Sequence, residues 1–217
     1  MTSSSSRSAE FEGEPRSSRK RRAILEAATT VFLRNGYLGT SMDEIATLAG
    51  VSKQTVYKHF ADKERLFVEI VASTVDDVSD PVHEEVLKLA DSGDVEADLR
   101  DLARRQLARV MQPRLLQLRR LVIGEATRFP QLGRAFYERG PGRTIAALAA
   151  AFERLAARGA LELEDPALAA AQFNWLIMSA PINEAMLLGR DEAPAPAELE
   201  QYADAGVGAF LAAYRKR

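Results

Sequence analysis

No stretch limits what this chain can fold into more than Ser41–Phe60, SMDEIATLAGVSKQTVYKHF. Ser41 and Glu44 stand at capping-box spacing. That predicts a helix start in which the Ser41 hydroxyl accepts a first-turn N–H and the Glu44 carboxylate reaches back to the Ser41 amide. Ile45, Ala46, Leu48 and Ala49 supply a helical apolar face, and Gly50 falls where a helix ends in a left-handed residue. Ser52 offers a second N-cap one residue after Val51, which is spaced to plug the core. The pattern is two short helices joined through a glycine turn, a helix-turn-helix.

The second of these helices has two chemically distinct sides. With about 100° of rotation per residue, Val56 and Phe60 fall together on one side. Gln54 and Lys58 lie opposite, flanked by Thr55 and Tyr57. The outward set is amide, cation, hydroxyl and phenol, the groups that reach base edges and phosphates when a helix enters a major groove. In isolation the same pattern would also suit an amphipathic surface helix with a solvated polar face.

The surrounding residues separate these readings. The run RRAILEAATTVFLRNGYLGTSMDEIATLAGVSKQTVYKHFADKERLF closely resembles the DNA-binding domain of TetR-family transcriptional regulators. The resemblance rests on Phe32, Gly36-Tyr37, Thr40-Ser41, Ile45-Ala46, Ala49-Gly50-Val51-Ser52, Tyr57, Phe60, Asp62-Lys63-Glu64 and Leu66. It implies DNA contacts from Ser41, Met42, Lys53, Gln54, Thr55, Tyr57, Lys58, His59 and Lys63, with Ser52 at the cap beside them. Lys53, Gln54 and Thr55 are assigned to base edges, where glutamine suits adenine and lysine suits guanine. Ser41, Tyr57, His59 and Lys63 are assigned to phosphates.

Charge alone would not have suggested nucleic acid. The net charge is −2, and residues 1–70 carry 11 Lys and Arg against 9 Asp and Glu. The local pattern is more telling. Arg19-Lys20-Arg21-Arg22 abuts the helix-turn-helix, and Arg19, Lys20 and Arg21 are expected to lie along phosphates or in a minor groove as a basic arm; the plainer alternative is a solvated helix start. The chain has no cysteine, hence neither a disulfide framework nor a thiolate metal site. It has nothing like a signal peptide and no apolar run approaching the roughly 18 residues of a membrane span. A cytoplasmic protein without a membrane partner is expected.

In chain order, residues 1–18 are Ser-rich and expected to be disordered. A DNA-binding domain over 19–62 begins with a helix from Arg19 to Asn35, ended by Gly36. A connecting helix over 63–80, capped by Asp62, should stop before Pro81 and is placed to transmit movement. Residues 81–217 read as helical throughout: 82–91, 95–111, 114–128, 132–139, 143–158, a long helix from Pro166 to about Gly189, and a last one from Ala197 to Tyr214. The predicted fold is all-α, a three-helix DNA-binding domain followed by a helical bundle for ligand binding and dimerisation.

Within that bundle RLVIGEATRFPQLGRAFYERGP, Arg120–Pro141, resembles the C-terminal domains of AefR- and AcrR-like members of the same family. The family fold implies a homodimer through the last two helices. The apolar and small residues there, among them Ala169, Ala170, Phe173, Leu187, Ala209, Phe210 and Ala213, fit either an interface or a monomer core. Removal of residues 197–217 is therefore expected to give monomers. Met111, Leu118, Phe129, Phe136, Phe173, Trp175 and Met178 could line a pocket for an apolar or amphipathic effector, with Arg128, Asn174 and Asn183 orienting it; singly, most are as easily core residues. No phosphate loop, nucleophile elbow or HExxH occurs, and His83 beside Glu84 and Glu85 reads as a solvated acidic helix start, so no catalytic residue, metal or cofactor is expected. The function implied is a homodimeric repressor on an inverted-repeat operator in double-stranded DNA, released by a small molecule. The alternative is a helical carrier or sensor that does not bind DNA.

Overall fold

The computed structural model describes residues 15–189 and 194–216, and they form eleven α-helices with no named strand. The chain divides into two compact units, residues 1–70 and 71–217. Of the tail expected to be disordered, residues 1–14 lie outside the described residues. Residues 16–18 are helical, because α1 (Arg16–Gly39) starts directly after Pro15. The basic run therefore occupies the opening turns of a helix, which begins three residues earlier than expected.

In the first unit α1 is interrupted where the sequence indicated. Gly36 takes φ 70°, ψ 177°, and only a short turn continues to Gly39. Two helices of a single face follow, α2 (Met42–Leu48) and α3 (Lys53–His59), then the start of α4 (Lys63–Leu89). The turn between α2 and α3 is a Schellman closure: Gly50 has φ 65°, its N–H donates to Thr47 O at 3.2 Å, and Val51 N–H donates to Ala46 O at 3.1 Å. Phe32, Tyr37 and Phe67 stack at its centre, with ring centroids 4.7 Å apart for Phe32–Phe67 and 5.4 Å for Tyr37–Phe67.

Half of the expected capping box is formed. The Ser41 hydroxyl accepts the Glu44 N–H at 3.1 Å. The Glu44 carboxylate does not reach back to Ser41; it binds the Arg34 guanidinium and accepts from Asn35 Nδ2 at 2.8 Å. A guanidinium makes a stronger, charge-assisted bond than a backbone amide, so it wins the carboxylate.

The connecting helix is longer than expected. It passes through Pro81 to Leu89 because Val82, Val86 and Leu89 extend its apolar stripe and are all buried, which outweighs one lost backbone hydrogen bond. The second unit continues with α5 (Val95–Val110), α6 (Pro113–Glu125), α7 (Pro130–Arg139), α8 (Pro141–Ala157), α9 (Pro166–Leu176), α10 (Ser179–Leu187) and α11 (Pro196–Tyr214). Five of these helices open on a proline, whose missing N–H would have had no intrahelical partner there. The single helix expected over 166–189 is two. Pro181 sits in the first turn of α10, the position where proline is tolerated, and the chain breaks at Ile177–Met178 just before it.

The bundle core is an aromatic cluster. Phe152, Phe173 and Phe210 are fully buried, with centroids 5.0–5.6 Å apart. Around it, charged pairs fix helix register. Asp76–Arg139, Asp80–Arg143 and Asp91–Arg154 all have a separation of 63 residues, so α4 and the α7–α8 segment run side by side in one direction. Arg104 grips Asp204 with two nitrogens, at 2.8 and 2.5 Å, tying α5 to α11. Burial would raise the Glu85 carboxyl, but hydrogen bonds from Arg109 and Arg105 hold it below its ordinary value.

These contacts alter the expectation for a C-terminal truncation. Phe210, Val207 and Ala203 of α11 have no exposed surface, and Gly206 is so close to α9 that a Cβ there would meet Ile177 Cγ2 at 3.0 Å and Leu176 O at 3.1 Å. Removing residues 197–217 would open the core and not simply free one protomer from another. A test of self-association has to leave α11 in place.

Candidate functional site

On α3 the two sides derived from the sequence are realised. Val56 is fully buried and Phe60 nearly so, whereas Gln54, Tyr57 and Lys58 are exposed. The helix starts cleanly because the Ser52 hydroxyl accepts the Thr55 N–H at 3.1 Å, and it lies 2.8 Å from the Thr55 hydroxyl. Ser52 and Thr55 thus support each other at the helix tip. His59 is half-buried beside the Phe60 ring, with centroids 6.4 Å apart.

Three of the expected contact residues are differently placed. Met42 is buried, so its side chain plugs the core and only its backbone amide lies at the start of α2. Lys63 donates to Tyr37 O at 2.9 Å and Thr40 O at 3.0 Å and lies 4.5 Å from the Tyr37 ring centre, so it pins the start of α4 to the end of α1. An ammonium has three donors, which leaves one for a phosphate. Arg21 pairs with Glu69 at 2.7 Å and lies over the Phe60 ring at 5.3 Å. Arg19, Lys20 and Ser41 are exposed. Lys53 pairs with Asp43 at 2.8 Å, and this hydrogen bond and its charge raise the lysine pKa.

The second unit holds a cavity between its helices. Its walls are Val75, Val78, Ser79 and Val82 of α4, Gln106 and Val110 of α5, Leu115 and Arg119 of α6, Phe136 of α7, Gly140, Pro141 and Thr144 at the start of α8, and Asn174 and Met178 around the α9 end. The void measures about 420 Å³ with its open mouth included. Gln106 and Asn174 are buried and share a hydrogen bond of 3.2 Å. The Arg119 guanidinium lies 5.0 Å from the Phe136 ring centre, and burial lowers its pKa to about 10, so it remains a cation at neutral pH.

Of the residues expected to form a pocket, Phe136, Asn174 and Met178 line this cavity and the others do not. Met111, Leu118 and Phe173 are core residues. Trp175 is 39% exposed, Arg128 lies over the neighbouring Phe129 ring at 5.2 Å, and Asn183 donates to Ser179 O at 2.7 Å. Gln106, Arg119, Ser79 and Thr144 were missed. Gln106 had a readable signal: it stands in the apolar register of α5, four residues from Leu102 and from Val110.

The helix-turn-helix geometry defines a DNA-binding regulator, and comparison with known proteins places it. Residues 24–70 match the model of bacterial regulatory proteins of the tetR family, and residues 97–216 match that of the AefR-like transcriptional repressor C-terminal domain. A TetR-family transcriptional regulator from Mesorhizobium loti is 50% identical, with a TM-score of 0.87 over 93% of this chain and 100% of that one. The flavonoid-responsive regulator FrrA is 35% identical, with a TM-score of 0.71 over 92% of this chain and 99% of that one. The transcriptional activator FasR of Mycolicibacterium smegmatis is 38% identical over 73 residues, 34% of this chain and 33% of FasR. The chain spans about a third of the length of the curated relatives it matches.

The chain belongs to the TetR family of transcriptional regulators, a family of DNA-binding proteins that are not enzymes. Among the described residues no helix is long and apolar enough to cross a membrane.

Proposed function

We propose that the chain is a homodimeric, cytoplasmic repressor that binds an inverted-repeat operator through α3 and releases it when a small amphipathic effector enters the cavity of the second unit. The carrying observation is the division of α3: Gln54, Tyr57 and Lys58 face solvent from a helix anchored by the buried Val56. Two such helices on a two-fold axis would enter successive major grooves about 34–36 Å apart. Lys53, Gln54 and Thr55 stand at the tip to reach base edges, with Arg19, Lys20, Ser41, Tyr57, Lys58 and His59 around them for phosphates.

The effector half of the proposal rests on α4. Its early residues, Leu66, Phe67 and Ile70, are core of the first unit, and Val75, Ser79 and Val82 are cavity wall in the second. A guest that pushes on the wall acts on the helix that also carries the DNA-binding unit, and by linkage DNA must weaken the guest by the same factor. That FrrA is named for its response to flavonoids, and that the matched C-terminal model is of a repressor, supports this direction.

A fluorescence-anisotropy titration with the DNA upstream of the protein's own coding region tests DNA binding. With about 6–10 phosphates contacted by a dimer, affinity should fall on the order of 10³-fold or more between 50 and 200 mM salt. A salt-independent signal, or none, would leave the carrier reading instead.

The dimer face has its own support. α11 exposes a stripe of small residues, Ala205, Gly208, Ala209 and Ala212, while Leu168, Trp175, Leu176 and Leu187 are exposed on α9 and α10. A charge at the centre of the stripe should prevent close helix approach without touching the core. Ala209→Glu is expected to elute as a folded monomer with an unchanged helical spectrum; a dimer at the native mass would place the interface elsewhere.

A further inference from the structure

The cavity holds polar groups that the fold itself leaves unmatched. Gln106 is 2% exposed and Asn174 fully buried, and their mutual hydrogen bond leaves Gln106 Oε1 and Asn174 Nδ2 without a protein partner. Exchanging the oxygen and nitrogen of both amides reverses the bond and still leaves one acceptor and one donor, so this conclusion does not depend on how the amides are oriented. A buried unpaired polar group is destabilising, and a folded chain gains nothing by keeping one unless a guest or water completes it. A single hydroxyl, which donates and accepts at once, matches the pair.

The third group is cationic. Arg119 Nε is buried without a hydrogen-bond partner, and among the described residues no acidic side chain lines the cavity. Elsewhere in this unit arginines meet carboxylates, as Arg104, Arg105, Arg109, Arg139, Arg143 and Arg154 do. Arg119 instead lies over the Phe136 ring in a cavity walled largely by valines. A positive charge among apolar walls favours an anion and repels a cation, and a planar guanidinium accepts a carboxylate through two parallel bonds. The void, about 420 Å³ with its open mouth included, lies at the small end of the range for ligand pockets and suits a guest near the size of one ring.

We propose that the effector is a small aromatic carboxylate bearing a ring hydroxyl, its carboxylate held by Arg119 and its hydroxyl by the Gln106–Asn174 pair. This rests on the assignment of the cavity as the effector site. A guest of this kind satisfies all three orphaned groups at once, and the flat ring lies between Phe136 and the α4 valines. Anything much larger has to move those walls.

Calorimetric titration of the full chain with the three hydroxybenzoate isomers, their methyl esters and benzoate is the test. At least one hydroxybenzoate is expected to bind, with its ester at least tenfold weaker. Arg119→Met should weaken it at least tenfold and Arg119→Lys less. Gln106→Leu should bring the hydroxybenzoate down to the level of benzoate. Melting curves separate site from scaffold: Arg119→Met, which removes a buried donor that has no partner, should hold or raise the melting temperature while binding falls, whereas Gln106→Leu also strips Asn174 of its one hydrogen bond and is judged by binding alone. Equal binding of acid and ester, or an Arg119→Met variant that binds as the native chain does, overturns the ligand class. If the esters bind and Thr144→Phe abolishes that binding, the cavity remains the effector site for a neutral guest. If neither acids nor esters bind, both the class and the site fall.

Discussion

Phe67→Ala is expected to destabilise the DNA-binding unit by about 3–5 kcal/mol, the usual cost of emptying a buried aromatic site. Phe67 is fully buried, and its ring is stacked on Phe32 and tilted against Tyr37. It therefore joins three places the fold has to hold together: α1, the turn after Gly36, and the first turns of α4. The unit is small, and small units bury a low fraction of their surface, so a loss of this size is a large part of their total stability. Hydrogen exchange provides the readout. Amide protection from Ile24 to Phe60 should fall by two to three orders of magnitude, and operator binding should disappear with it. Protection that stays at the native level would mean the aromatic stack is ornamental, and the account of this core would be wrong.

Tyr57→Ala is the complementary case, a large effect on binding with a small one on folding. Tyr57 is 44% exposed on the outer face of α3, next to Lys58 and one turn from Lys53. Loss of one phosphate or base contact costs about 1–3 kcal/mol, or roughly tenfold to a hundredfold for each half-site. The proposed dimer would carry the change twice, so operator affinity should fall on the order of 100-fold or more. A surface substitution away from caps and buried pairs usually shifts stability by no more than about 0.5 kcal/mol, so the melting temperature should scarcely move. A large drop in melting temperature would instead make Tyr57 part of the scaffold. Together the two variants separate the residues that build the reader from those that read.

The DNA-binding unit was the more legible half because its signals are local. The Ser41 and Ser52 caps, the left-handed Gly50 and the Val56–Phe60 pair each lie within a few residues of the partners that explain them, and each is present as expected. The Glu44 box was misjudged for the opposite reason: the competing partners, Arg34 and Asn35, are supplied by another helix. Lys63 was obscured in the same way, since its two carbonyl acceptors lie 26 and 23 residues earlier. Helix boundaries went astray at prolines. Pro81 was taken as a stop although apolar residues continue the buried stripe beyond it, and Pro181 was passed over although it marks the start of a new helix.

The cavity was largely illegible, and its chemistry explains why. Aromatic and methionine residues in a helical bundle are as useful for packing as for ligand contact, and Phe173 and Met111 prove to be packing. What marks a site is a polar side chain in an apolar register. Asn174 was noticed; Gln106 was overlooked although it stands in the apolar register of α5, and Arg119 because α6 carries several charged and amide residues whose orientation only the fold fixes.

If Lys53 reaches base edges as proposed, its pairing with Asp43 bears on how the protein would search a chromosome. A lysine that already holds a carboxylate arrives at DNA with its charge answered, so an anonymous stretch of phosphates offers it an exchange of partners and little net attraction. The exchange becomes worthwhile where a base presents an acceptor in the right place. Asp43 would thus act as a stand-in for the operator, keeping residence on random sequence short and leaving Lys53 to commit where the sequence fits.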